Sequence, residues 1–276
     1  MAVVINKVWS AFFNSNPASG STNQSEDGSK FSVTLNNPLR LPESVVSCKM
    51  GVVSASIWNS SPNLSAAFNN NEFRFTVSST QYLITIPDGL YSLSDLSAYL
   101  TSQFSIRGLS PPPFSFSANE PTGQVIITYR DATLSLDFTG NSVGVILGFP
   151  SATYPYPQAT GGVLYSPAVA KLNRNNSYLI KTTLVSSGIP LNSSAQGIIS
   201  SIPIPAGSVN SLIAYNPPQI LWFDCSELIG STKSNFSFEL TNENLQPTPT
   251  SGNYYSFTVL IEYGVLLSNM DLPMKP

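Results

Sequence analysis

Apolar and polar residues alternate with a period of two along most of the chain. In KFSVTL, Phe31, Val33 and Leu35 fall on one side of a strand. SVVSCKMGVVSASIW is a longer apolar strand ending at Trp58, and EFRFTV, QYLITI, QVIITYR and TLSLDF alternate in the same way. Toward the C-terminus, NSYLIKTTLVSS, AQGIISSIPI, PQILWFDCSEL, NFSFELTN and YYSFTVLIEYGVLL read as strands separated by Pro-, Gly- and Asn-rich turns.

One window changes period. In SLSDLSAYLTSQF, Leu93, Leu96, Leu100 and Phe104 share a helical face. Ser92 with Asp95 three residues on is a capping-box pattern, and Gly108 is a stop. Tyr82, Ile84 and Ile86 form a strand just before it, and Pro87-Asp88-Gly89 turns the chain. The pattern predicts an amphipathic helix packed on a sheet.

Residues 14–29, NSNPASGSTNQSEDGS, have no core-forming side chains, and residues 1–29 are expected to form a flexible N-terminal arm. Pro38 and Pro42 bracket a crossing, and NSSPNLSAAFNNN is loop. Residues 71–160 read as an inserted α+β domain, closed by NSVGVILGFP and bounded by YPYPQATGG. The remaining residues, 30–70 and 161–276, carry roughly eight strands if the opening VVINKVWSAFF is counted. About eight antiparallel strands is the jelly-roll number. The expected fold is therefore mainly β: a single jelly-roll β-sandwich with a small α+β insertion between strands.

Composition narrows the function. Of 276 residues, 42% are hydrophobic and only 10% are charged, against roughly 25% in an average domain. Such a surface is covered by Ser, Thr, Asn and Gln, or by partner molecules. A net charge of −3 with no basic run gives no footprint of a specific nucleic-acid binder. No window has the ~20 apolar residues of a membrane span, and MAVVINKVWSAFF lacks the features of a signal peptide. Cys48 and Cys225 each sit in an apolar run; buried free thiols and one disulfide are both open readings, and the former fits synthesis in a reducing cytosol. Sequons at Asn23, Asn59, Asn63, Asn175, Asn192 and Asn235 are what an Asn- and Ser-rich chain produces by chance.

Chemistry-bearing patterns are scarce. There is no histidine, which removes Ser-His-Asp triads, the usual base of a cysteine nucleophile and most zinc sites. Asp88 and Asp95 read as turn and helix-start residues, not as a paired acid and base. DFTGNSVGVILG has no phosphate-binding glycine pattern. Asp224 and Glu227 beside Trp222 are the candidates for a groove, and 15 Phe with 12 Tyr suit core packing better than a sugar platform. No catalytic, cofactor-binding or metal-ligating residue is assigned, no cofactor is expected, and the chain reads as a non-enzyme suited to assembly through broad contacts.

ITIPDGLYSLSDLSAYL, then QVIITYR, LSLDF and VILGFP, with the ending NFSFELTNENLQPTPTSGNYYSFTVLIEY and the middle strands SYLIKTTLVS and GIISSIPI, resembles the capsid proteins of virophages and of Polinton-like and adenovirus-related DNA viruses. One jelly roll with one insertion is similar to the penton of that lineage, the protein of the five-fold vertex. The resemblance implies a homopentamer in an icosahedral virion, made in the host cytoplasm, contacting neighbouring major capsid proteins. It also implies an insertion on the outward-facing part; the polar composition of 14–29 adds the hypothesis that this arm orders beneath the shell against neighbours. Leu221 and Phe223 around Trp222 are proposed contact positions. Other readings are a spike or sandwich binding a host receptor or glycan, and a single jelly-roll major capsid protein.

Overall fold

A computed structural model describes residues 3–172, 175–185, 188–191, 194–195, 197–205 and 208–267. It divides into two compact units, Met1–Ser60 with Asn175–Pro276, and Ser61–Arg174. In chain order the first unit begins with β1 (Val3–Asn14), β2 (Ser21–Asn23), β3 (Lys30–Arg40) and β4 (Val45–Trp58). The second contains β5 (Glu72–Val77), β6 (Thr80–Thr85), α1 (Leu93–Ile106), β7 (Phe114–Asn119), β8 (Gln124–Tyr129), β9 (Ser135–Asp137), β10 (Thr153–Pro155) and β11 (Val163–Tyr165). The chain then returns to the first unit with β12 (Ser177–Thr182), β13 (Pro190–Leu191), β14 (Ser194–Ala195), β15 (Ile198–Pro203), β16 (Leu212–Tyr215), β17 (Phe223–Asp224), β18 (Thr232–Asn242) and β19 (Tyr255–Leu267).

The first unit is a jelly-roll sandwich. One sheet runs β1-β19-β4-β16, with β17 also on β4, and the other runs β15-β12-β18-β3-β2. Taken in sequence, the eight principal strands are β1, β3, β4, β12, β15, β16, β18 and β19. One sheet holds the first, eighth, third and sixth of these; the other holds the fifth, fourth, seventh and second. That interleaving is the double Greek key of the jelly roll.

The strands pair because their alternate residues share one inner face. Phe13, Phe31, Met50, Ile180, Ile202, Phe236, Phe238, Phe257 and Ile261 are all fully buried in one cluster. The rings of Phe13 and Phe238 lie 4.7 Å apart, and those of Phe238 and Phe257 4.8 Å. Each such side chain stabilises the fold by roughly 1.5–3 kcal/mol on burial. Tyr255 is buried too, and its hydroxyl donates to the Ser29 carbonyl at 2.8 Å.

The second unit has its own core. Two small antiparallel sheets, β10-β9-β5-β6 and β11-β8-β7, accompany α1. Leu96, Leu100 and Phe104 are the buried face of the helix, and the Phe104 ring lies 4.8 Å from that of Phe114. The Asp95 amide donates to Ser92 Oγ (3.1 Å) and the Ser92 amide to the Asp95 carboxylate (3.0 Å), a complete capping box. At the other end Gly108 takes φ +73°, and Leu109 N–H donates back to the Phe104 carbonyl at 2.9 Å, a left-handed helix stop.

Several expectations are corrected. Of the flexible arm expected over 1–29, residues 1–2 lie outside the described residues and 3–29 are instead built into the sandwich: β1 pairs with β19 from Val3 to Asn14, and β2 pairs with β3. The polar stretch 14–29 orders itself because its short side chains bond nearby backbone. Asn16 Oδ1 accepts from Ala18 N–H, the Asp27 carboxylate from Ser29 N–H, and Ser25 Oγ from Lys30 N–H. The insertion is wider than 71–160, because β11 pairs with β8 and so carries the second unit beyond YPYPQATGG. It also holds two small sheets where one was expected. β3 runs through Pro38 to Arg40, with its pairing to β18 irregular there, the kind of site where a strand tolerates proline. The sixth strand is β16, the four residues LIAY, and not PQILWFDCSEL, of which only Phe223–Asp224 pairs.

Candidate assembly surface

The outer faces of the sandwich follow from strand parity. In β1, Trp9, Ala11 and Phe13 point to the core, so Val4, Val8 and Phe12 point outward. Val8 is 61% and Phe12 65% exposed. They lie across from Glu262 and Thr258 of β19, and Val4 lies across from Leu266, also exposed. At the far end of the same sheet Trp58 and Leu212 are paired and both exposed. Among the described residues β1, twelve residues long, is an edge strand joined to β19 alone in the sheet order. A long edge with apolar side chains is a surface other chains pair with or cover.

The outer face of the second sheet differs. Thr34, Asn235, Ser237, Lys181 and Glu239 occupy its centre, with Lys181 and Glu239 3.9 Å apart. Asn235 Nδ2 donates to Thr34 Oγ1, and Gln24 reaches Ser32 and Ser237.

The segment before β17 covers part of the apolar-backed sheet. A Cβ on Gly51 would stand 2.5 Å from Ile220 Cγ2 and 2.7 Å from the Leu221 carbonyl oxygen, so glycine is required for that close approach. Lys49 Nζ sits 4.8 Å over the Trp222 ring and 3.2 Å from the Glu262 carboxylate. Leu221 is 56% exposed. Phe223 is corrected: it packs against the sandwich core.

The structure does not gather the sequence-derived acids into a site. The Asp224 carboxylate accepts from Ser226 Oγ, and Glu227 is exposed in the following turn. The Asp88 carboxylate accepts from Ser65 Oγ and Ala66 N–H, a turn role. The Asp95 carboxyl is held below its usual range by the hydrogen bonds from Ser92. Among the described residues no three His, Cys, Asp or Glu side chains stand together as metal ligands, and no helix is long and apolar enough to cross a membrane. Of the sequons, Asn63 and Asn175 are buried, with Asn63 Nδ2 donating to the Tyr91 and Leu172 carbonyls, while Asn192 lies outside the described residues.

No family model matches the chain, and no curated protein matches it. Several solved chains are similar to this one, among them a viral protein. It is the mavirus penton protein, in a crystal structure of its selenomethionine-labelled form, 10% identical, covering 95% of this chain and 100% of that one with a TM-score of 0.46.

Within the second unit, α1 and β7 flank an open groove of about 910 Å³. Ser97, Thr101 and Ser117 supply hydroxyls, Phe116 an aromatic surface and Glu120 a carboxylate. The stripe on β1 escaped the sequence reading, although its signal is present. VVINKVWSAFF is apolar at both parities, and one parity only can face the core.

Proposed function

We propose that this protein is a structural capsid subunit whose jelly roll packs against copies of itself, five around an icosahedral vertex, ringed by major capsid proteins. The observation that carries the reading is a jelly-roll sandwich with one polar outer face and one outer face bearing Val4, Val8, Phe12 and Leu221 uncovered. Apolar positions of that kind, with few charges, suit the centre of a protein interface. A closed five-fold ring joins two different faces of one subunit, and a contact of standard size buries about 1,600 Å². The virophage and adenovirus-related resemblance of the strand and helix sequences supports the vertex over a general shell position.

Native mass spectrometry of the purified full chain tests the assembly. The expected particle is five times the 29.6 kDa of one chain. A discrete trimer, or a monomer at tens of micromolar, overturns the reading.

A second reading, a receptor- or glycan-binding module, has the α1–β7 groove in its favour, since hydroxyls beside an aromatic and a carboxylate suit a sugar. Glycan-array binding lost in Phe116→Ala would favour it.

A further inference from the structure

We propose that Cys48 and Cys225 form a reversible intramolecular disulfide, a redox site that locks β4 to the segment following β17. This inference stands independently of the capsid reading.

The backbone sets the geometry. β17 pairs with β4 so that Phe223 faces Met50 and Asp224 faces Lys49. The next pair in that antiparallel register is Cys225 and Cys48, and Cys225 N–H donates to the Cys48 carbonyl at 3.1 Å. Directly opposed residues of an antiparallel pair have Cα atoms about 4.5–5.5 Å apart, inside the roughly 4.4–6.8 Å span that a disulfide bridges. The side chains already meet, with the two Sγ atoms 2.9 Å apart. The two sulfurs have only to close from 2.9 Å to the roughly 2.05 Å of a disulfide.

The surroundings favour a pair acting on itself. Cys48 is 3% and Cys225 0% exposed, and both belong to the sandwich core. They are free thiols here. The charge that acts on both is the carboxylate of Asp224, which disfavours ionisation of either. The hydrogen bond between the thiols distinguishes them: it lowers Cys48 and, with burial, raises Cys225. Cys48 is therefore the first to ionise and the attacking sulfur.

The oxidant is a low-molecular-weight disulfide of the glutathione class. Its access is local, because β17 is two residues long and is preceded by a half-exposed stretch; short, lightly packed segments open below the global unfolding free energy. The Cys48 thiolate attacks one sulfur of the oxidant, forming a mixed disulfide and releasing one thiolate. Cys225 loses its proton and attacks Cys48 Sγ, forming the Cys48–Cys225 bond and expelling the second thiolate. The two protein thiols give up two electrons and two protons; the oxidant becomes two thiols. The bond closes a chain segment that contains the whole Ser61–Arg174 unit, and long closed segments restrict the unfolded chain most.

The test uses the full chain, reduced, freed of reductant and equilibrated with reduced and oxidised glutathione at graded ratios. It is repeated in dilute urea to open the segment. Acid quenching, denaturation and alkylation with N-ethylmaleimide precede intact-mass measurement. The expected product is a monomer lighter by two hydrogens, without maleimide or glutathione, restored by dithiothreitol. Its melting temperature exceeds that of the reduced chain by at least about 5 °C. Cys48→Ser and Cys225→Ser should each lose that gain and end as single glutathione adducts or cross-linked dimers. Wild-type protein that keeps two maleimide labels at every ratio in dilute urea, or stops at mixed disulfides, overturns the proposal. A disulfide that forms without raising the melting temperature overturns the lock.

Discussion

The two sheets of the sandwich bury inner faces of the same kind and present different outer ones. β18, β3 and the neighbouring β12 back the core phenylalanines with Thr34, Asn235, Ser237 and the Lys181–Glu239 pair. β1 and β19 back theirs with Val4, Val8, Phe12 and Leu266. Folding alone explains the inner faces. It does not explain the apolar outer one, since water-facing strands of an antiparallel sheet are ordinarily polar. The difference separates residues kept for the fold from residues available to a partner.

The largest effect tests the shared interior. Phe238→Ala in one sheet and Phe257→Ala in the other should each lower stability by about 3–5 kcal/mol in urea unfolding, since both side chains are fully buried in one cluster. A loss under about 1 kcal/mol at either position would mean that the sheets do not share the core equally.

A smaller effect separates the outer faces. Gly51→Val should destabilise by about 1–3 kcal/mol, because its side chain would drive Ile220 and the Leu221 carbonyl off the sheet. Thr34→Val, on the exposed polar face, should stay within about 0.5 kcal/mol. Equal costs would remove the asymmetry. The smallest effect lies in the charges. Lys181→Ala breaks a partly exposed pair and should cost no more than about 0.5 kcal/mol. Lys49→Ala also uncovers the Trp222 ring and should cost about 1 kcal/mol.

Local chemistry made part of this legible from sequence. Ser92, Asp95 and Gly108 mark the helix because capping and stopping depend on neighbours in the chain, and all three do so here. Long strands such as β4 and β19 were readable from apolar alternation. What failed depends on distant partners. Residues 14–29 look structureless until β3 is there for β2 to pair with. Val163–Tyr165 belongs to the second unit through β8, far back in the sequence. PQILWFDC is apolar because it lies over Gly51 and ends in the core, and not because it is a strand. LIAY is too short to stand out. For the candidate surface, Leu221 was readable as an exposed apolar residue, but the β1 stripe was not. Both parities of that strand are apolar, and the sheet order decides which one faces out.

The most direct test changes the outer stripe and leaves the core alone. Sedimentation of the wild-type chain and of the double variant Val8→Glu with Phe12→Glu should be compared over a concentration series. The account predicts a five-copy assembly for the wild type and a folded monomer, unchanged in melting temperature, for the variant. A variant that assembles as the wild type does would contradict it.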